Sequence, residues 1–145
     1  KLILGGVEIP FELGLLGHSD ADALAHAVID ALLGACALGD IGQHFPDSDE
    51  AFRGISSLLL AKEAAARIRA AGFETVNIDS VITAQKPKLA PFREAMRANL
   101  AEALGVPPEN IGVKFTTPEG TGPEGNLECI TVRAVAAVRK VRIQC

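Results

Sequence analysis

Tryptophan and tyrosine are missing altogether, and six phenylalanines are the whole aromatic complement. A protein that reads nucleic acid needs stacking rings interleaved with basic residues, and a net charge of −4 supplies no basic field, so nucleic acid is excluded as the expected partner. Cysteines are three, Cys36, Cys129 and Cys145, odd in number and far apart. They form neither a disulfide framework nor a C-x-x-C pair, and they read as reduced thiols of a cytosolic-type compartment. The longest apolar run, Ser57 to Ala66, is broken by Lys62 and Glu63 and is too short for a bilayer. No secretory signal and no membrane partner are expected.

What remains is aliphatic. Hydrophobic residues make up 48% of 145 positions, enough for one domain with a real core and against disorder. The first residues, Lys1-Leu2-Ile3-Leu4, carry no initiator Met, and the expectation is that a first strand precedes Lys1.

The most informative stretch runs from His18 to Leu33. Ser19 or Asp20 is placed to cap a helix, because a short side-chain oxygen accepts an orphan backbone N–H. Spacing by four then stacks Asp22, His26 and Asp30 on one narrow edge of an otherwise apolar helix. A buried imidazole between carboxylates needs a partner. One reading is a divalent metal, for which neutral imidazole is a favoured ligand; the other is a core histidine bonded to an acid one turn away.

In chain order, Lys1–Leu4 and Val7–Ile9 flank Gly5-Gly6 as a hairpin. The first helix is expected from about Asp20 to Leu38, stopped by Gly39 in the left-handed position. Residues 39–49 form a polar loop, either ligand-contacting or a solvated connector, with Phe45-Pro46 as a rigid apolar anchor. Ser56 or Ser57 caps a second helix ending near Gly72, with Leu58, Leu59, Ala65 and Ile68 inward and Lys62, Glu63, Arg67 and Arg69 solvated. Phe73–Thr83 alternates as a strand. Two prolines make residues 84–91 a loop, and Pro91 opens a third helix, about Pro91 to Leu104, stopped by Gly105. Strands follow at Ile111–Thr116 and, after a Gly-rich segment, about Glu128 to Val141. This order implies an α+β fold with three helices on one face of a mixed sheet. The other face carries Val and Ile, which a second subunit would cover.

His18-Ser19-Asp20-x-Asp22-x-x-x-His26, Asp30-Ala31-Leu32-Leu33-Gly34-Ala35 and Leu38-Gly39-Asp40-Ile41-Gly42-x-x-Phe45-Pro46-Asp47-x-Asp49 together are not generic. With Ala84-Gln85-x-Pro87-Lys88 and Lys114-x-Thr116-Thr117-x-Glu119, they resemble the 2-C-methyl-D-erythritol 2,4-cyclodiphosphate synthase family of the non-mevalonate isoprenoid pathway. The resemblance implies a single domain over residues 1–145, a mixed sheet of about four main strands plus a small hairpin, and a homotrimer around a threefold axis. It implies a lyase in which the 2-phosphate of a diphosphocytidyl-methylerythritol attacks the β-phosphorus and CMP leaves. It assigns His26 to zinc and Glu119 to a second ion, magnesium or manganese. His18 and Ser19 match groups near the 2-phosphate, and His18 with Thr117 matches transition-state stabilisers. Asp40, Ile41, Gly42, Phe45, Pro46, Asp47, Ser48 and Asp49 match the methylerythritol side. Ala84, Gln85, Lys86, Pro87, Lys88, Leu89 and Ala90, with Thr116, Thr117 and Pro118, match the cytidine pocket of an adjacent subunit. Bacterial cytoplasm and plastid stroma are the implied locations.

Two departures stand out. The family's Asp-x-His, which supplies the other two zinc ligands, is not among residues 1–145. Asn126 stands where the family carries an Arg, and Pro123 near an aromatic, in a segment associated with isoprenoid diphosphates; Asn126 offers no fork for a diphosphate. These departures leave open a non-catalytic cytidine-nucleotide-binding trimer, and the His/Asp cluster leaves open a metal-dependent phosphohydrolase.

Overall fold

The computed structural model describes residues 1–14, 17 and 19–141. His18 and the last residues of the basic tail therefore lie outside the described residues. A hairpin opens the chain, β1 (Leu2–Leu4) against β2 (Val7–Ile9). Next come α1 (Ala23–Ala35), the short α2 (Ile41–His44), α3 (Ser57–Ala70), β3 (Phe73–Thr83), α4 (Arg93–Leu104), β4 (Ile111–Thr116), the short α5 (Gly122–Gly125) and β5 (Thr131–Lys140).

The main sheet has the order β4-β3-β5, with β3 parallel to β4 and antiparallel to β5. Among the described residues it therefore holds three strands, not about four, and the hairpin is a separate two-stranded sheet. The three long helices share one face, as expected of α+β. Leu32 and Leu33 of α1, Ile68 of α3, and Met96 and Leu100 of α4 are fully buried against Ile78 and Ile82 of β3. Two arginines of α4 close the outer edge of β4: Arg93 donates to the Val113 carbonyl at 3.1 Å and Arg97 to the Ile111 carbonyl at 2.8 Å. Carbonyls so occupied cannot template a further strand.

The opposite sheet face is less apolar than the Val and Ile content suggests. In β5, Val132, Ala134, Ala136 and Val138 turn toward the helices, leaving Arg133, Val135, Ala137 and Arg139 outside. Lys114 and Asp79 pair across that face at 2.7 Å, and Val135, 71% exposed, is a large apolar residue left open on it. The period of two explains this: each strand sends its apolar set to one side only.

Several local expectations shift. The first helix is shorter at both ends. Its N-cap is Asp22, neither Ser19 nor Asp20, and Asp22 accepts from Ala25 N at 2.9 Å. Its exit is a Schellman turn in which Ala37 (φ 56°), not Gly39, takes the left-handed position, with Leu38 N donating to Leu33 O at 2.9 Å. In α3, Ser57, Leu60, Ala61, Ala64, Ala65 and Ile68 make the buried stripe. Leu59 falls one step off that stripe and is 57% exposed, contrary to its expected inward position. The polar loop contains α2, closed by a capping box between Asp40 and Gln43, and the Gly-rich segment contains α5. The final strand begins at Thr131, because Leu127 (φ 62°) and Glu128 still bond back to the α5 turn.

Candidate active site in two half-clefts

Asp22 does not share the helix edge with His26. Its carboxylate turns back under the start of α1 and accepts from Gly5 N at 2.8 Å and Gly6 N at 2.7 Å. Both glycines have positive φ, the geometry a two-residue hairpin turn requires. One fully buried carboxylate thus caps α1 and fastens the hairpin to it. Burial pushes the Asp22 carboxyl above its ordinary value; the three N–H donors pull it down, and the neighbouring Asp20 adds to the rise. Asp30 is also drawn away, accepting from Ile41 N at 2.8 Å.

His26 is held from α3 instead. Its Nε2 lies 2.8 Å from Ser57 Oγ and 3.1 Å from Ser19 Oγ. Ser57 donates its hydroxyl proton to Asp20, whose other oxygen accepts Ser57 N at 3.0 Å. A carboxylate only accepts, so Ser57 Oγ has no proton left for the ring, and His26 Nε2 must donate to it. In the neutral ring Nδ1 then carries the lone pair, and it has no hydrogen-bond partner among the described residues. Neither sequence-level alternative named Ser57, whose distance along the chain hid it.

His26 opens into a cleft of about 550 Å³ lined also by Ser19, Ile41, Gly42, Phe45, Pro46 and Asp47. Asp40, Ser48 and Asp49 do not line it. Asp40 and Asp49 cap short helical turns on Gln43 N and Ala51 N, at 2.9 Å each, while Ser48 is exposed. Ala21, Ala23, Phe52, Leu60 and Ile130 complete the walls without having been anticipated. Only the apolar character of Phe52, so near the Phe45 anchor, offered a hint.

A second cleft, about 610 Å³, lies beyond the carboxyl ends of the parallel strands β3 and β4. Ala84, Gln85, Pro87, Lys88, Leu89, Ala90, Thr116 and Thr117 line it, with Ile82, Pro91 and Phe115 beneath. Lys86 faces a smaller recess beside Gln85 and Glu124. Gln85 Oε1 accepts Gly120 N at 2.8 Å, tying this loop to the turn that carries Glu119. Thr117 Oγ1 donates to Glu119 Oε1 at 3.0 Å, and Pro118 O accepts Thr121 Oγ1 at 2.6 Å. Glu124, bonded by Thr131 Oγ1 at 2.7 Å, has its carboxyl lowered chiefly by that bond.

The turn depends on close backbone approach. A methyl group at Gly125 would meet the Gly120 carbonyl carbon at 2.3 Å, and backbone cannot yield as a side-chain tip can. Gly125→Ala is expected to open residues 118–125, by about 1–3 kcal/mol of overpacking. Amide hydrogen exchange checks it: the Gly120 and Gly125 amides should exchange about tenfold faster or more, while the β3 amides keep their protection.

The donor chemistry here suits metal ions only in single contributions. Among the described residues no group of three His, Cys, Asp or Glu converges on one point. His26 Nδ1 fits one ligand of a set, and exposed Glu119, with one oxygen on Thr117, fits another.

The profile of the YgbB family matches residues 1–139. The chain is 57% identical over 140 residues to the 2-C-methyl-D-erythritol 2,4-cyclodiphosphate synthase of Clostridium botulinum, covering 97% of this chain and 89% of that protein. It is 57% identical over 140 residues to the bifunctional enzyme IspD/IspF of Albidiferax ferrireducens, covering 97% of this chain but only 34% of that one. A solved 2C-methyl-D-erythritol-2,4-cyclodiphosphate synthase with CDP bound superposes with a TM-score of 0.86 at 40% identity, over 95% of this chain and 89% of the other.

Proposed function

This chain belongs to the YgbB family, and on that premise we propose that it converts 4-diphosphocytidyl-2-C-methyl-D-erythritol 2-phosphate to 2-C-methyl-D-erythritol 2,4-cyclodiphosphate with release of CMP. An oxygen of the substrate's 2-phosphate forms the new bond to the β-phosphorus. The bond from the β-phosphorus to the oxygen bridging it to the α-phosphorus breaks, and CMP departs with that oxygen and its electron pair. The nucleophile comes from the substrate, so the protein needs only to position and neutralise two repelling phosphates.

The observation that carries this reading is the pair of half-clefts. The cleft beside His26 is suited to the methylerythritol end. The cleft beside Lys88 has a Pro-stiffened loop and a lysine, suited to a nucleotide, and the chain's CDP-bound relative matches it over nearly its whole length. In this proposal Lys88 pairs with phosphate, backbone of residues 84–90 reads the cytosine edge, Thr117 steadies the developing charge, and Ser19 with His18 faces the 2-phosphate. A homotrimer would set the His26 cleft of one subunit against the Lys88 cleft of the next, the open face bearing Val135 turned inward. His26 would contribute to a zinc ion and Glu119 to magnesium or manganese, with the remaining donors outside the described residues; such ions, when bound, withdraw charge from the phosphates. The class is then a phosphorus–oxygen lyase. No helix among the described residues is long and apolar enough to cross a membrane, and a bacterial cytoplasmic or plastid stromal setting is proposed on the likeness to its named relatives.

A second reading, nucleotide binding without catalysis, draws on the single-donor character of His26 and Glu119. The test is CMP release from the diphosphocytidyl substrate, with zinc and magnesium supplied and particle mass measured alongside. Stoichiometric cyclic product from a particle of three chains is expected. CDP binding without CMP release would replace the leading reading with the second, and uncyclised phosphate products would indicate hydrolysis.

A further inference from the structure

Arg67 was expected in solvent, yet it is half-buried and makes contacts unlike those of its neighbours on α3. Its Nη1 lies 2.8 Å from His44 Nδ1 and 3.4 Å from the His44 carbonyl oxygen. Its guanidinium carbon sits 4.7 Å above the centre of the Phe45 ring, and its Nε donates to Glu63 at 3.2 Å. Phe45 in turn is buried and meets Phe52 edge-on at 5.5 Å. One side chain from α3 therefore grips the end of α2 by an imidazole, a carbonyl and an aromatic face. The same segment, through Ile41, Gly42, Phe45, Pro46 and Asp47, is the wall of the His26 cleft.

The partners dictate the state of His44. A guanidinium has only donors, so Nδ1 must accept. Nε2 lies 2.8 Å from the Leu38 carbonyl, which can only accept, so Nε2 must donate. Both bonds exist together only in the neutral ring protonated at Nε2. Adding a proton at Nδ1 would set an N–H against an N–H and one cation against another at hydrogen-bond distance.

The charged groups facing His44 are few. From α3 they are Arg67 and, through it, Glu63, whose carboxylate offsets part of the guanidinium charge. Just past α1 the Leu38 carbonyl accepts from the ring, the Phe45 ring lies 6.1 Å away, and the Asp30 carboxylate of α1 meets the start of α2 at Ile41 N, 2.8 Å. Asp40, at the far end of α2, is turned onto Gln43 N.

We infer that Arg67 and His44 are positioning residues, a clasp that sets the wall of the substrate cleft from outside it and that holds only while His44 is neutral. Neither touches the cleft. The inference rests on the proposed reaction for its kinetic readout but not for its structural one. Loss of the clasp frees Phe45 to leave its pocket and lets residues 41–47 move away from the methylerythritol end of the substrate. Substrate binding weakens, whereas the groups that act on the phosphates stay where they are.

The test uses the full-length, metal-supplied protein and its diphosphocytidyl substrate, with KM and kcat measured at pH 8. His44→Gln keeps an acceptor and a donor and should hold KM near the wild-type value. Arg67→Met should raise KM about tenfold, with kcat steady. Arg67→Lys should not restore it, because an ammonium lacks the planar fork and stacking face. Nitrogen-15 spectra of the His44 ring should show the Nε2-protonated neutral form in the wild type and its loss of fixed tautomer in Arg67→Met, with faster amide exchange at His44 and Phe45. An unchanged KM or an unchanged His44 ring in Arg67→Met would overturn the clasp. Absence of CMP release from the wild type at pH 8 would instead defeat the functional reading and leave the spectra to decide the clasp.

Discussion

Asp22→Ala is expected to lower the stability of the folded chain by about 4 kcal/mol, the largest effect of any single truncation outside the apolar core. The carboxylate satisfies Gly5 N, Gly6 N and Ala25 N at once. Losing a helix cap costs about 1 kcal/mol, and each buried N–H left without an acceptor costs about 1–3 kcal/mol. Relaxation of the hairpin would let water reach some of these groups, so the sum stays below the simple maximum. Denaturant unfolding at fixed protein concentration checks this, since the proposed association with other copies would also contribute to stability. A loss below about 1 kcal/mol would mean that the hairpin is not fastened through Asp22.

The same residue carries a pH signature. Its carboxyl is raised in the folded protein by burial, so between the ordinary value of 3.8 and that raised value the folded chain binds more protons than the unfolded one. Stability from this group therefore falls as pH rises through that window and recovers on acidification toward 3.8. Asp22→Asn keeps one acceptor oxygen but turns an NH₂ toward a backbone donor. It should cost less than Asp22→Ala and should remove this component of the pH slope, seen by comparing unfolding midpoints of the two proteins across acid pH.

His26→Ala carries the largest expected effect on activity. Loss of the imidazole should reduce CMP release about a thousandfold, near 4 kcal/mol in transition-state stabilisation, with little change in thermal stability, because the ring borders a cleft and its bonds are to two hydroxyls. Ser57→Ala separates the ring's presence from its orientation. The ring remains but loses the acceptor that fixes its proton on Nε2, and activity should fall about 10–100-fold, as when outer partners of a ligating histidine are removed. Ser57→Thr keeps the hydroxyl and should restore most of it. Equal activity in Ser57→Ala and wild type would show that the Asp20–Ser57–His26 relay does not set the tautomer.

Much of the fold was legible because its signals are local. Alternation marked Phe73–Thr83 and the turn at 107–110 set off Ile111–Thr116, both with the bounds the structure has; Ser56 caps α3, and Gly105 takes the left-handed position after α4. Where the local signal was duplicated, it misled. Ser19, Asp20 and Asp22 are all good caps by type, and only the glycines of the hairpin, brought near by folding, select Asp22. Leu59 and Arg67 were misassigned because a stripe of alanines leaves the buried face of α3 poorly marked by hydrophobicity.

By itself the sequence determined the order of the main elements, the hairpin turn and the residue types gathered in two loops. These depend on periods of two and 3.6 and on backbone freedom within a few residues. Tertiary structure alone decided what those residues hold. It gave Asp22 to the hairpin, Asp20 and Ser57 to His26, Arg67 to His44, and Ile130 to the wall of a cleft opened by α1. Each of these pairings joins positions far apart in the chain. A hydrogen bond is decided by distance and donor count in space, and neither quantity is written in the spacing of residues along a strand or helix.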